Sequence, residues 1–309
     1  MPTGSRLPIS VVVATRDRPE HLARCLRALA REVGAADEVI VVDSASRDGT
    51  AVREVAAAAP QGIRCRYLRA PRPGTSLARN LGWAAAATSA VAFVDDDVEV
   101  LAGWAEEIAG AFADPAVAFV TGWIGVPPHQ ADVAEPNPLM VAPTPFHIDR
   151  HRRGLLGASA NFAARCDALA AVGGFDERLG PGTWISAGED HELFDRLLAA
   201  GYTGCYRPSA RVEHDQWRTR RESFGLHWRI GKGAGARLAR LAHRDPSRFA
   251  AVSRELLVDD IAHALVGSVR AGYQTGTVFA LLRLAGLLVG WLSAPVRALF
   301  GSGIAGPRP

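Results

Sequence analysis

Lysine is almost absent from this chain: Lys232 stands alone among 35 lysines and arginines. Nearly all the positive charge therefore sits on arginine, whose planar guanidinium suits phosphate contacts. Against 32 acidic residues the net charge is only +3, so no global field argues for a nucleic acid partner. The 4 cysteines, Cys25, Cys65, Cys166 and Cys205, are far apart and form no CxxC pair, which leaves no zinc or redox motif. No GxGxxG follows the first apolar run, and that excludes a dinucleotide-dependent dehydrogenase. The opening MPTGSRLPIS lacks the apolar core of a signal peptide. With free cysteines behaving as small hydrophobes, the expected location is the cytoplasm, with the inner face of the membrane as the alternative.

What is present is a core. The 309 residues are 48% hydrophobic, enough for one large or two modest domains. The first hundred residues alternate strand and helix. Apolar runs at Ile9–Ala14, Val39–Val42 and Val91–Val94 read as buried strands, with a weaker one at Ile63–Leu68. Helical spacing separates them at Leu22, Cys25, Leu26 and Leu29, at Ala51–Ala59 and at Thr75–Thr88. Strands separated by helices imply βαβ units and a parallel sheet. Further on, Leu101–Phe112 and Glu189–Ala200 read as helices, Val117–Val120 as a strand, and Tyr202–Arg207 and Ala210–Glu213 as two short strands. Between Val126 and Arg153 the prolines Pro127, Pro128, Pro136, Pro138, Pro143 and Pro145 interrupt any periodicity. A loop longer than about 15 residues is functional or disordered, and an acceptor-facing lid and a disordered insertion are both open here.

The last part of the chain differs in character. Arg218, Arg220, Arg221, Arg229, Lys232, Arg237 and Arg240 are interleaved with Trp217, Phe224 and Trp228. Ala271–Val296 is then apolar, but Arg283 falls in the middle of the roughly 20 residues a spanning helix needs, so no transmembrane segment is expected. A basic stretch beside an apolar helix suits peripheral contact with an anionic membrane; helices packed on the catalytic domain are the other reading.

The most telling stretch is VAFVDDDVEV, where a buried run ends in Asp95, Asp96 and Asp97. Ligands of open α/β sheets bind just outside the strands' carboxyl ends. Asp95 and Asp97 are two residues apart and point to the same side of an extended segment, so both can serve a hard divalent cation that bridges phosphates. Read alone, the triplet is first of all a solvated acidic turn, and the rest of the chain changes that reading.

In order and spacing, VVVATRDRPEHLARCL, EVIVVDSASRDGT, RPGTSLARNLGWAAA, VAFVDDD, GGFDE and GEDHELFDRLLAAGY resemble glycosyltransferase family 2. These segments extend over about two thirds of the 309 residues, from Ile9 to His214. The resemblance implies the α/β GT-A fold: a Rossmann-like, mostly parallel sheet with flanking helices, here with a C-terminal helical extension. It divides the chain into a donor-binding half at 1–125, an acceptor-binding and catalytic half at 126–215, and the extension at 216–309. It further implies metal-dependent, inverting transfer of one sugar from a nucleotide diphosphosugar to an acceptor hydroxyl on a glycan, a lipid-linked sugar or a small natural product. Thr15, Asp17 and Asp43 would contact the base and ribose, and Arg79 the nucleotide and its phosphates. Asp95 and Asp96 stand at the donor, with Asp95 touching the ribose. Asp97 holds Mn2+ or Mg2+ with Asp95 in a DxD motif, and His214 is a further metal ligand. Asp190 would be the general base and Glu189 would orient the acceptor.

One departure narrows this. Processive synthases of the family carry QxxRW after the ED region and several membrane helices, whereas Gln216-Trp217-Arg218-Thr219-Arg220 does not fit that spacing. Single addition is expected, with the arginines that follow available to close over the diphosphate. Two other functions remain in view. A sugar-1-phosphate nucleotidyltransferase would need a glycine-rich loop after the first strand, and VVVATRDRPEHL has no glycine there. A non-catalytic nucleotide-sugar-binding protein would have no need of both Asp97 and Asp190.

Overall fold

A computed structural model describes residues 7–34, 37–130, 140–215 and 219–300. In chain order these form β1 (Ile9–Thr15), α1 (Pro19–Glu32), β2 (Glu38–Asp43), α2 (Gly49–Ala57), β3 (Cys65–Arg69), α3 (Thr75–Ala84), β4 (Ala90–Asp95) and β5 (Val98–Val100). There follow α4 (Trp104–Ala111), β6 (Val117–Gly125), a 3-10 turn at Pro128–Gln130, β7 (Phe146–Ile148), β8 (Asn161–Arg165), α5 (Cys166–Val172), α6 (Glu189–Ala199) and β9 (Thr203–His214). The chain closes with α7 (Arg220–Arg244), α8 (Pro246–Arg254), a π-helical stretch Glu255–Ala262, α9 (His263–Arg270) and α10 (Gln274–Phe300). Two compact units result: Met1–Phe175 with Arg196–Gln216, and Asp176–Asp195 with Trp217–Pro309.

The first unit is built on one sheet in the order β3-β2-β1-β4-β8-β6-β9-β5, with β7 paired to β9. β3, β2, β1, β4, β6 and β9 run one way, while β8, β5 and β7 oppose them. β1, β2 and β4 are buried almost throughout, which is why their sequences are near-continuous apolar runs rather than alternating ones. Pro19 opens α1, where a missing N–H costs nothing, and Leu22, Cys25, Leu26 and Leu29 form its buried face. Gly82 lets α3 press on β1, since a Cβ there would fall 2.3 Å from Val12 Cγ1.

Some expectations need amending. The two short strands expected at Tyr202–Arg207 and Ala210–Glu213 are one strand, β9, whose pairing with β6 slips between Gly122 and Trp123. β5 directly follows the aspartates and β7 lies in the proline-rich stretch; at three residues each, neither is long enough to leave a periodic signature. Pro136 and Pro138 of that stretch, and Gln216, Trp217 and Arg218 of the sequence compared with QxxRW, lie outside the described residues. Cys25 and Cys205 are buried, and no cysteine is disulfide-bonded; burial pushes the Cys65 thiol up to about 11.

In the second unit α7 begins with a capping box between Thr219 and Glu222, which satisfies two otherwise orphan helix donors. α7 and α10 meet backbone to backbone: a Cβ on Gly235 would lie 2.0 Å from the Leu287 carbonyl oxygen, and one on Gly290 would lie 2.0 Å from that of Lys232. Within α10, Gln274–Ser293 is, by length and composition alone, apolar enough to cross a membrane. Arg283, which argues against a spanning segment in the sequence, is engaged by Asp260 (2.7 Å) and His227 Nδ1 (3.0 Å).

Candidate functional site

Strand register assembles the first group of residues. Thr15 is level with Asp43, Asp43 with Arg69, and Ala14 with Asp95, so the carboxyl ends of β1, β2, β3 and β4 form one edge. Asp43 is wholly buried there. Its Oδ1 accepts from the Ser46 N–H (2.7 Å) and its Oδ2 from the Tyr67 hydroxyl (2.9 Å) and from Arg69 Nη1. Asp17 is held at φ +57°, a left-handed conformation that aspartate tolerates better than most side chains. Its N–H donates to Ser46 Oγ (2.9 Å) and its Oδ1 accepts from the Arg47 N–H (2.7 Å). The turns after β1 and β2 are thereby tied together.

The aspartate triplet is not extended throughout as expected: Asp95 ends β4, and Asp96 and Asp97 form the turn into β5. Asp96 turns inward, where Thr15 Oγ1 donates to its Oδ2 (2.6 Å) and Arg18 Nη2 lies 3.2 Å from its Oδ1. Burial pushes the Asp96 carboxyl up to about 7, against the attraction of Arg18. Asp97 is buried beside Asp96 and shares the Arg18 guanidinium, whereas Asp95 is partly exposed. Arg79 Nη2 donates to Asp95 Oδ1 (2.7 Å), and Arg18 Nη1 donates to Asp97 Oδ2 (2.9 Å). Burial opposes the charge on Arg18, yet Asp96, Asp97 and Asp95 together raise its pKa.

His214 comes to this cluster through the β5–β9 ladder, which sets Val98 opposite His214. The Asp215 N–H donates to the Asp97 carbonyl (2.9 Å), and His214 Nε2 lies 3.2 Å from Asp97 Oδ1. One ligand atom from each of Asp95, Asp97 and His214 falls within 4.8 Å of the others. Two carboxylates and an imidazole form a donor set suited to Mn2+ or Mg2+, with the imidazole favouring the softer manganese. The residues expected as metal ligands thus converge, and a cation fits their chemistry.

Arg18, Arg69 and Tyr67 are additions to the expected set. Arg18 lies in the TRDRP turn just before Pro19; nothing in that turn singles it out from Arg16, and only its reach to the aspartates does so. Arg69 and Tyr67 stand on the weakly patterned β3, where alternation alone gives no hint of a partner on β2.

Glu189 and Asp190 belong to the second unit, at the start of α6. Glu189 is buried and Asp190 partly exposed. Asp190 Oδ1 accepts from the His191 N–H (2.8 Å) and lies 3.0 Å from His191 Nδ1. Glu189, Asp190 and Glu192 crowd the first turn, where the helix dipole favours negative charge. Gly188, at φ +85°, precedes them, and a Cβ on it would lie 3.0 Å from the Gly233 backbone. α7 therefore passes directly over the point where α6 begins. Farther along α6, Asp195 is gripped by Arg237 (2.6 and 3.0 Å) and Arg248 (2.7 Å), and Glu192 by Arg244 (2.9 Å).

Comparison with known proteins follows the same lines. Residues 10–170 match the family described as Glycosyl transferase family 2. Curated relatives named "Pre-mycofactocin glycosyltransferase", from two strains of Mycobacterium tuberculosis, are 34% identical over 239 residues, covering 72% of this chain. The chain spans 47% of their length. Among solved structures, a mannosyltransferase from Pyrobaculum calidifontis in complex with GDP-Man and Mn2+ has a TM-score of 0.62 at 18% identity, over 93% of this chain and 88% of that one. Residues 1–349 of S. aureus TarS in complex with UDP give 0.60 at 14% identity, over 97% and 95%. At these identities the likeness is one of fold.

Proposed function

The chain belongs to glycosyltransferase family 2, and from that premise we propose that it transfers one sugar from a nucleotide diphosphosugar to an acceptor hydroxyl, inverting the anomeric carbon. Its fold is the GT-A fold of the mannosyltransferase and of TarS. The observation that carries the reading is the strand-end edge: Thr15, Asp43 and Asp95 in register, with Asp95, Asp97 and His214 clustered within 4.8 Å. A sugar-1-phosphate nucleotidyltransferase and a non-catalytic binding protein both explain less of this arrangement.

In this proposal Thr15, Asp17 and Asp43 receive the base and ribose, and Asp95 touches the ribose. Asp96 supports the donor site from beneath through Thr15 and Arg18. Arg79, anchored on Asp95, faces the phosphates. Asp95, Asp97 and His214 would hold Mn2+ or Mg2+, which when bound supplies positive charge to the departing diphosphate. The manganese in the mannosyltransferase structure supports that choice of ion for this chain. Asp190 takes the proton of the acceptor hydroxyl as its oxygen bonds to the anomeric carbon; the bond from that carbon to the diphosphate breaks, and the nucleoside diphosphate leaves. Glu189 orients the acceptor. The transition state is oxocarbenium-like, as in glycoside hydrolysis, so nearby carboxylates stabilise it.

The three-part functional division at 1–125, 126–215 and 216–309 is part of the proposal, as is a cytoplasmic location with peripheral membrane contact through α10. Of the acceptor classes, the name of the curated relatives favours a pre-mycofactocin-like molecule over a glycan or a lipid-linked sugar. The test is transfer from radiolabelled nucleotide diphosphosugars. Asp190→Asn should keep nucleotide binding and lose about 10²–10⁴-fold in kcat; an unchanged rate would remove Asp190 as the base.

A further inference from the structure

The chain's single lysine reaches the loop that carries Trp184. Lys232 is 7% exposed, a rare environment for an ammonium group. Its Nζ donates to the Trp184 carbonyl (2.6 Å) and lies 4.7 Å from the centre of the Trp184 ring. Trp184 itself remains 53% exposed. A half-exposed indole whose backbone and ring are both held by a buried cation is a fixed, accessible aromatic surface, preorganised to receive a ligand.

The loop around Trp184 is closed and stiff. The Gly180 N–H donates to the Ile185 carbonyl (2.9 Å), and Thr183 Oγ1 lies 2.9 Å from the carbonyls of both Gly180 and Ile185, which share its one proton. Leu179 and Ile185 are buried against Ala236 of α7. On that helix the neighbouring Gly233 abuts Ala187 and Gly188, the residues that lead into Glu189 and Asp190. Consecutive positions of α7, Lys232 and Gly233, thus hold the exposed indole and the start of the helix that carries the proposed base.

We propose that Trp184 is a stacking platform for the acceptor, and that Lys232 is the residue that positions it. An indole face matches a ring with a flat apolar side, either the C–H face of a pyranose or an aromatic ring. Acyclic polyols present no such face. This assignment rests on the glycosyltransferase reading only in calling the bound ring an acceptor; the ring site itself stands on Trp184 and Lys232.

Saturation-transfer NMR on the full chain, with Mg2+ and a nucleoside diphosphate present, tests it. The probes are methyl α-D-mannopyranoside, methyl β-D-glucopyranoside, tyrosol and, as the acyclic control, mannitol. Signal is expected from the pyranosides or from tyrosol, whichever ring the platform takes, and none from mannitol. Trp184→Ala should weaken the ring probe about tenfold or more, while Trp184→Phe recovers part of the loss. Lys232→Met should also weaken it, with the ring-proton pattern of the saturation altered because the indole has lost its anchor. Thermal melts matching the wild type establish that the variants fold. Absence of signal from every ring probe, equal signal from mannitol, or an unchanged affinity in Trp184→Ala would overturn the platform. Failure of the glycosyltransferase reading shows separately, as no turnover of any nucleotide diphosphosugar, water being an available acceptor.

Discussion

Replacing Asp195 by alanine should destabilise this protein more than any surface change. Asp195 is buried, and its carboxylate takes three hydrogen bonds: two from Arg237, at 2.6 and 3.0 Å, and one from Arg248 at 2.7 Å. Both guanidiniums are themselves buried, at 8% and 7% exposure. In Asp195→Ala their charges lose that carboxylate yet stay out of water. Removing one partner of a buried pair costs about 3–5 kcal/mol, and one carboxylate serving two cations belongs at the upper end of that range. Urea unfolding at neutral pH, followed by circular dichroism, should show an unfolding free energy lowered by that amount, read as a lower midpoint with an unchanged slope. An apolar triple variant, Asp195→Leu with Arg237→Met and Arg248→Met, should recover most of the loss, since burying no charge avoids the desolvation cost altogether. A loss below about 1 kcal/mol in Asp195→Ala would contradict this reasoning, because the three groups would then be behaving as an exposed pair.

The same network gives a pH dependence. Burial alone would raise the Asp195 carboxyl, but Arg237 and Arg248 hold it below its ordinary value, and Arg178 and Arg240 do the same for Asp176. A depressed folded-state pKa means stability that is fully present above the unfolded carboxylate range, about pH 4, and that is lost as pH falls through the folded values. The contribution of this network should therefore be lost steeply below about pH 4, and the acid limb should be less steep in Asp195→Asn. Gly235→Val should force α7 from α10, since a Cβ there meets the Leu287 carbonyl at 2.0 Å; an overpacking cost of about 1–3 kcal/mol should appear in denaturant melts. Asn161→Leu removes the side chain that accepts from Trp104 Nε1 and donates to the carbonyls of Trp123 and Ala210. With those buried groups left unmatched, a loss of about 1–3 kcal/mol or more is expected, and calorimetric melting checks it.

The sequence was most legible where burial is two-sided. β1, β2 and β4 write themselves as unbroken apolar runs because both of their faces are covered, and their polar terminators Thr15, Asp43 and Asp95 then mark the edge. The alternation expected of an extended chain stops at Asp95, because Asp96 and Asp97 lie in a turn where Arg18 reaches both. Three-residue strands such as β5 and β7 carry no period and cannot be read this way. That matters because β5 is the strand whose ladder brings His214 to Asp97 across more than a hundred residues. Arg18 was hidden for another reason: arginine is so common here that its type carries little information, and only its distance to Asp97 distinguishes it. The grouping of Asp176–Asp195 with the C-terminal helices was illegible as well, resting on glycine-to-glycine approach and on ion pairs such as Asp195 with Arg237, between residues 42 apart in the chain.

The most direct measurement of the central claim is calorimetric titration of the protein with UDP, GDP, dTDP and CDP, each with and without Mn2+, repeated on Asp97→Ala. The account predicts that one of these nucleotides binds, that binding is strengthened by the metal, and that the substitution abolishes the metal's contribution. Binding of none of them, or binding indifferent both to Mn2+ and to Asp97, would contradict a donor site at the ends of β1, β2 and β4.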